Sequence, residues 1–593
     1  MTVFSQNSLS TAASAHALFK QALLAHKGLF LQAASASLLA NILALGSALY
    51  SMQVYDRVIP TQGISTLTVL TTGVLIAIVL ELIVKLARAH TQEAAVMGLD
   101  RELSHAIFAR LLGIRMDQFP ASVGTLSSQL RSYETIRRFA TSATLYLMVD
   151  APFALLFLGV IALLAGLTMA AIPVVFLILA LAVGLFYRHR IAQHAATSTH
   201  TTNRKLGLLV QTVENAETIK ASGAGPQQQA HWDELTRQSV DDDVQIQRHS
   251  EQATYIAGFM QQASYVLLVA VGAWIASTST DLTSGGLIAC AILSGRVLSP
   301  VAALPGLVVQ WAHARAALDA LEKVFALQND NHAVDRPLTP ETVRGEWRIE
   351  NLKFAYPGRP RPLSLPPTTI RAGEKVALLG PVGSGKTTLL KIIAGLFAPG
   401  EGQVLLDGLD MQQIDRALLS AQLGYLPQDV KLFAGPLRHN LSAGLSEVSE
   451  AAMLEASRIT GLDQLIASHP QGLDMPIFEG GRGVSGGQKQ LIALTRLLLA
   501  KPSAWLLDEP TAAMDEVSEQ RSVAALRGAI APEQTLILVT HKPVLLGLVD
   551  RLIVMLPNGG VIDGPKDAVL AQLRQRPPAP RPVTPAAQTV VAA

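Results

Sequence analysis

The chain has 593 residues, of which 50% are hydrophobic and only 16% charged. That is too long for one domain and too apolar for an ordinary soluble protein, so part of it is expected in a membrane. The formal net charge of +2 supplies no broad field pointing to nucleic acid as a partner, and the single cysteine, Cys290, excludes an internal disulfide, a Cys-rich zinc site and a redox pair.

Residues 1–27 are Ser/Ala-rich, end in the weakly amphipathic HALFKQALLAHK, and have no hydrophobic core followed by a cleavage site, so they read as a cytoplasmic lead-in. Apolar runs follow at about 29–50, 64–84, 144–164, 167–187, 255–278 and 284–308, each near the roughly 20 residues that a bilayer requires. Six membrane helices are therefore expected within residues 28–325. The alternative of six buried core helices fails because the chain offers too little amphipathic material to cover them.

Basic residues set the orientation. One long connection carries Lys85, Arg88, Arg101, Arg110, Arg115, Arg131, Arg137 and Arg138; the other carries Arg188, Arg190, Arg204, Lys205, Lys220, Arg237 and Arg248. The short connections offer only Arg57, which by the positive-inside rule puts the long loops and both termini in the cytoplasm. Those loops are helical in pattern (LDRELSHAIFARLLG, NRKLGLLVQTVENAETIK) and are expected to prolong the membrane helices. Glu81, Lys85 and Arg88, at i, i+4 and i+7, read as a mutually paired, snorkelling cluster at a helix end. Asp150 followed by Pro152 reads as a helix start or kink. Cys290 lies in an apolar segment as an inert thiol. Arg296 lies deep enough that it must face the bundle interior or a wet cavity, where its partner is either structural or the substrate.

After a linker at 326–345 the composition becomes that of a soluble α/β domain over 346–570, followed by a Pro/Ala-rich tail at 571–593 expected to be disordered. The domain opens on the alternating strand WRIENLKFAYPG, where Tyr356 either stacks on a nucleotide base or is a plain strand-end tyrosine. GPVGSGKTT then fits the phosphate-loop template at Gly380, Gly385, Lys386 and Thr387, between an apolar strand and a helical run. In such a loop, Gly380, Pro381, Val382, Gly383, Ser384 and Gly385, the backbone N–H groups of all but the proline close around phosphate oxygens, the helix adds its positive end, and Lys386 adds a point charge. Thr387 is then placed to ligate Mg²⁺. Farther on, SAWLLDEP ends a strand on Asp508 and Glu509, and LILVTH ends another on His541; Asp508 would hold the metal through water and Glu509 would polarise an attacking water. The second glycine-rich loop, GVSGGQ, with Ser485, Gly486, Gly487 and Gln488, opens a helix and is another anion site. Two such helix starts with one phosphate-loop lysine suggest that one nucleotide is gripped from two sides.

With these motifs in this order, the domain resembles the ATP-binding cassette ATPases: a Walker A segment from Gly380 to Thr388, a Q-loop at Gln428, the signature VSGGQ, a Walker B strand ending LLDEP, a D-loop ending at Asp515 and a switch histidine, His541. The resemblance implies ATP and Mg²⁺ as cofactors, Thr388 and Asp515 in the nucleotide site, and Gln428 both as a metal ligand and beside the catalytic Glu509 and His541. With the preceding spans, the chain resembles an exporter half-transporter: an α-helical six-span domain followed by an α/β P-loop domain. MQVYDRVIPTQGISTLTVL, LFAGPLRHNLSAG and FEGGRGVSGGQKQ resemble the type I protein-secretion ATPases. That likeness implies a bacterial inner-membrane homodimer, a periplasmic adaptor, an outer-membrane channel and a polypeptide cargo, with a lipid or drug exporter as the alternative.

FPASVGTLSSQL and NAETIKASGAG resemble the family's coupling segments. Two positions depart from the pattern: Val484 replaces the usual leucine at an apolar support position, and Gly481 stands where many exporters carry glutamate, which bears on signalling to the membrane helices rather than on ATP binding. Bacteriocin-type relatives carry an N-terminal cysteine protease, which is not expected here because few residues and no cysteine precede the first helix.

Overall fold

Long apolar runs with few helix breakers become long helices here. The computed structural model describes residues 14–120, 123–145, 151–278, 282–332, 334, 336–356, 362–556 and 559–575. The chain divides into two units, residues 1–114 with 118–328 and residues 115–117 with 329–593. The helices of the first unit are Ala15–Ala25, Lys27–Gln53, Ile64–Leu112, Val123–Arg131, Tyr133–Leu145, Ala151–Glu214, Ala216–Ser222, Gly225–Thr278 and Ser284–Phe325. Three of them run unbroken for 49, 54 and 42 residues, far beyond the roughly 20 that cross a bilayer, so an apolar stretch and a polar continuation share one rod.

Among the described residues, five helices are long and apolar enough to cross a membrane. Ala151–Glu214 counts once there but carries two of the six expected spans, that at 167–187 and most of that at 144–164: its backbone leaves helical geometry at Gly166 (φ 81°, ψ 170°), at the expected boundary between them. Asp150 lies outside the described residues, as do residues 1–13 of the lead-in and 576–593 of the tail. Val69, Leu75, Ile78, Val79, Leu82 and Leu86 all stand exposed on Ile64–Leu112, whose most apolar window has no buried residue. A band of that kind is suited to lipid hydrocarbon or a second apolar surface, not to water.

Inside the unit, Phe157, Ile161, Met169, Leu268, Leu293 and Val297 share one core with the buried Cys290. The helix of the lead-in packs Leu18, Phe19 and Ala22 on Leu99, Leu103, Leu321 and Phe325, and Glu322 Oε2 accepts from its first backbone N–H at 2.9 Å. The charged trio separates: Lys85 pairs with Glu81 at 2.6 Å, while Arg88 donates to Ser37 Oγ on the first span at 3.1 Å. A hydroxyl on the neighbouring helix is within reach of a guanidinium stem three residues farther along, so the expected three-membered cluster becomes a pair. Arg296 is half-buried, and no carboxylate among the described residues pairs with it. Asp56, in a π-helical turn Val54–Val58 that follows the first span, accepts from Thr283 Oγ1 (2.6 Å) and Gly285 N–H (2.8 Å) and so caps the last long helix.

The second unit holds two sheets that share a core. Strands β1 (Trp347–Phe354), β2 (Leu363–Leu365), β3 (Thr368–Ile370), β5 (Glu401–Leu406) and β6 (Leu409–Asp410) form an antiparallel sheet. The larger sheet runs β13 (Val561–Pro565), β12 (Arg551–Met555), β4 (Lys375–Leu379), β11 (Thr535–Val539), β10 (Ala504–Asp508), β7 (Leu423–Leu426), all parallel except β13. A further pair, β8 (Gly435–Pro436) with β9 (Pro476–Ile477), lies in the helical segment between β7 and β10. β10 and β11 are buried at every residue, as continuous apolar runs in a parallel sheet should be. The expected linker at 326–345 is bound rather than free for much of its length: Leu338 N–H donates to Gln413 O at 2.7 Å and Asn331 Nδ2 to Ile414 O at 2.8 Å.

Candidate active site

The parallel sheet puts the ends of β4, β10 and β11 side by side, with Asp508 paired to Val539 in register. The loops that leave these ends therefore converge. β4 runs into the loop Gly380–Gly385 and then the helix Lys386–Ile393. Gly380 (φ 147°) and Gly385 (φ 95°) take backbone conformations that favour glycine, and a Cβ on Gly380 would stand 2.5 Å from Met555 O. Lys386, itself buried, donates to Gly380 O (2.8 Å) and Pro381 O (3.0 Å), so the loop is closed on its own lysine. Burial lowers the Lys386 pKa, and the nearby Glu509 and Asp508 charges oppose that shift.

Asp508 is 1% exposed, and neither carboxylate oxygen makes a well-formed hydrogen bond. Burial raises its pKa above the ordinary carboxylate range; the Thr387 hydroxyl pulls the other way, the Glu509 charge adds to the rise, and Lys391 and Lys386 oppose it. Native structures rarely leave a buried carboxylate without partners. A hard divalent cation, bound by oxygen donors, is what a carboxylate next to a threonine hydroxyl at a phosphate loop fits.

Glu509, one residue on, takes the left-handed conformation (φ 47°) that a side chain adopts only at a cost, roughly 1–3 kcal/mol. Its N–H donates to Val539 O at 2.8 Å, which holds that turn against β11. The carboxylate receives Gln428 Nε2 at 3.4 Å on one oxygen and lies 3.7 Å from His541 Nε2 on the other. Three residues separated widely in sequence thus meet at one carboxylate. The residue after His541 steadies the switch: Lys542 Nζ donates to Thr511 O (2.7 Å) and pairs with Glu519 (2.9 Å).

Tyr356, Pro381, Val382, Gly383, Ser384, Gly385 and Thr388 line one open cavity. Val382 at its mouth is 96% exposed. The Tyr356 hydroxyl lies 3.2 Å from Thr388 Oγ1, and its ring meets Phe354 and Phe397 edge-on. None of Ser485, Gly486, Gly487 or Gln488 lines that cavity. They open the helix Gly486–Ala500, where Ser485 Oγ accepts from Gln488 N–H (3.2 Å) and Gln488 Oε1 accepts from Ser485 N–H (2.8 Å), a reciprocal capping box. Gln488 is thereby occupied with its own helix. Asp515 likewise caps the helix Glu516–Ala529 by accepting from Ser518 N–H at 2.8 Å, and that N–H holds its carboxyl below the usual range. Val484 packs on the apolar core, as its support role requires. At Gly481 a Cβ would come 2.7 Å from Lys489 Cε, whose ammonium donates to Gly480 O at 3.0 Å; the lysine stem fills the space a larger residue would use.

The sequence reading missed Gln490. It is 4% exposed, accepts from Ala513 N–H at 3.0 Å and donates to Glu509 O at 3.3 Å. Its signal was a glutamine on the buried stripe of KQLIALTRLLLA, where a polar side chain must find partners.

A family model described as the ABC transporter matches residues 366–512, and one described as the ABC transporter transmembrane region matches residues 30–301. The chain belongs to the ABC transporters. It is an exporter half-transporter, a multi-pass membrane protein that binds ATP and couples its hydrolysis to transport. It is 27% identical over 566 residues to the leukotoxin translocation ATP-binding protein LktB of Mannheimia haemolytica, covering 93% of this chain and 78% of that one. It is 29% identical over 565 residues to the cyclolysin secretion/processing ATP-binding protein CyaB of Bordetella pertussis, covering 92% and 76%. Its fold is similar to that of a bacterial Atm1-family ABC exporter whose structure was solved with ATP bound, with a TM-score of 0.78, 21% identity and coverage of 94% of this chain and 97% of that one.

Proposed function

We propose that this half-transporter exports a polypeptide across the bacterial inner membrane as the energising component of a type I secretion system. The observation that carries the reading is the likeness, over more than nine-tenths of the chain, to two proteins named for toxin translocation and secretion. The basic residues of the two long loops support a cytoplasmic ATPase unit.

In the hydrolytic step Lys386 holds the terminal phosphates, and Glu509 acts on the attacking water, with Gln428 and His541 fixing its two oxygens. Thr387, Asp508 and Gln428 would hold Mg²⁺, which when bound neutralises charge on the β- and γ-phosphates. Gly380–Thr388 form one wall of the nucleotide site. Two glycine-rich helix starts with one phosphate-loop lysine support a second copy of the chain supplying Ser485–Gln488, so that a homodimer has two composite sites. Asp515, at a helix start next to the signature helix, would lie at that seam.

ATP binding would draw the cassettes together, and the short helices Val123–Arg131 and Ala216–Ser222, within the two coupling segments, would pass the displacement to the long ones. A polypeptide must also cross the outer membrane, which calls for a periplasmic adaptor and an outer-membrane channel. The test is deletion of the gene and comparison of secreted proteins: a polypeptide should vanish from the medium without accumulating in the periplasm, and should return only when adaptor and channel are both present. An unchanged secretome with altered lipid distribution or drug sensitivity would instead establish the lipid or drug exporter.

A further inference from the structure

The Glu509 carboxylate is aimed by a turn that is strained and has few anchors. At φ 47° the residue sits where an L-amino acid is held only by its surroundings. One anchor is its N–H on Val539 O, from β11. Its carbonyl accepts from Ala512 N–H at 3.1 Å within the same turn and, from outside it, among the described residues only from Gln490 Nε2 at 3.3 Å. The same amide, through its oxygen, accepts from Ala513 N–H at 3.0 Å. Gln490 therefore spans the loop after β10 at both of its ends, and does so from a buried position on the helix that begins at Ser485.

That helix is in direct contact with the loop at a second place. A Cβ on Gly487 would stand 2.9 Å from Ala513 O, and one on Gly486 3.2 Å from Ala513 Cβ. The signature helix and the turn carrying Glu509 thus form a single packed piece, and Gln490 is its polar link. The residue type is specific: a donor and an acceptor on one planar amide are both needed, and glutamate offers no donor, asparagine is a methylene shorter, and leucine or methionine has neither function.

We propose that Gln490 is a positioning residue for ATP hydrolysis: its amide fixes the backbone at Glu509 and Ala513 so that the Glu509 carboxylate faces the attacking water. This rests on Glu509 acting on that water.

The test uses the purified full-length chain in lipid nanodiscs and steady-state ATP hydrolysis over a range of ATP concentrations. Gln490→Leu should lower kcat about tenfold, the upper worth of one neutral hydrogen bond, with KM for ATP changed less than about twofold. In a Glu509→Gln background the same substitution should add less than about a twofold further loss, because residues that act through one another are not additive. Gln490→Glu, which keeps the volume and the acceptor for Ala513 but loses the donor to Glu509, should fall with Gln490→Leu, and it decides the matter if the leucine variant does not survive solubilisation. A general packing role would lower the rate by the same factor in both backgrounds and shift KM as well; that result overturns the inference. So does a wild-type kcat in the Gln490 variants, which leaves the role of Glu509 intact. A wild-type rate in Glu509→Gln alone overturns both.

Discussion

Replacing Asp508 by asparagine should make the nucleotide-free protein more stable while abolishing its response to Mg²⁺. In the folded chain this carboxylate is 1% exposed and has no well-formed hydrogen bond on either oxygen. An asparagine has nearly the same shape and stays polar but has no charge to bury, and removing the charge from a buried group without partners is worth on the order of 1–3 kcal/mol. For a unit of this size each kcal/mol moves the melting temperature by about 2–4 °C. The sign of the pH dependence follows from the direction of the shift. The Asp508 pKa is raised in the folded state, so the folded chain binds the proton more tightly than the unfolded chain. The stability this contributes is fully present below the ordinary carboxylate pKa and is lost as pH rises to the elevated folded value. The advantage of Asp508→Asn should therefore be largest at neutral pH and shrink as pH falls through that window, where the wild-type carboxyl also becomes neutral. Thermal unfolding of detergent-purified protein, in EDTA and then with Mg²⁺ and a non-hydrolysable ATP analogue, reads both halves. Equal or lower stability of the variant in EDTA, or an undiminished Mg²⁺-dependent shift, would refute the reasoning.

Glu509→Gln should retain ATP binding and lower hydrolysis by about 100-fold or more, the loss expected when a general base is removed, measured as phosphate release beside nucleotide binding. Lys386→Ala should instead weaken productive nucleotide binding, since Lys386 is the one cation closed into the phosphate loop. A cysteine placed at Ser384 and another at Ser485 should cross-link between chains when ATP is present; exclusively intrachain links would rule out the composite site.

Much of the site was legible because its parts are local. A phosphate loop needs a strand, glycines, a lysine and a helix in consecutive residues, and Gly380–Thr388 supplies them within one short stretch. Asp508, Glu509 and His541 were legible as strand ends, because continuous apolar runs such as AWLLD and LILV declare buried parallel strands. Other features were less accessible. The expected trio at Glu81, Lys85 and Arg88 separated because spacing along one helix says nothing of the hydroxyl that Ser37 offers from the next.

The sequence alone was enough for the membrane part, the α/β unit that follows it and the identity of the phosphate-binding loop, because hydrophobic runs and backbone-cradling glycines act over a few neighbouring residues. Only the tertiary structure could bury Asp508 beside Thr387, turn Glu509 into a left-handed conformation, bring Gln428 and His541 to its two oxygens, and set Gln490 behind it. The physical reason is distance along the chain. Burial and hydrogen-bond partners are set by which strands lie side by side, and the order β4, β11, β10, β7 is not the order in which the chain is written.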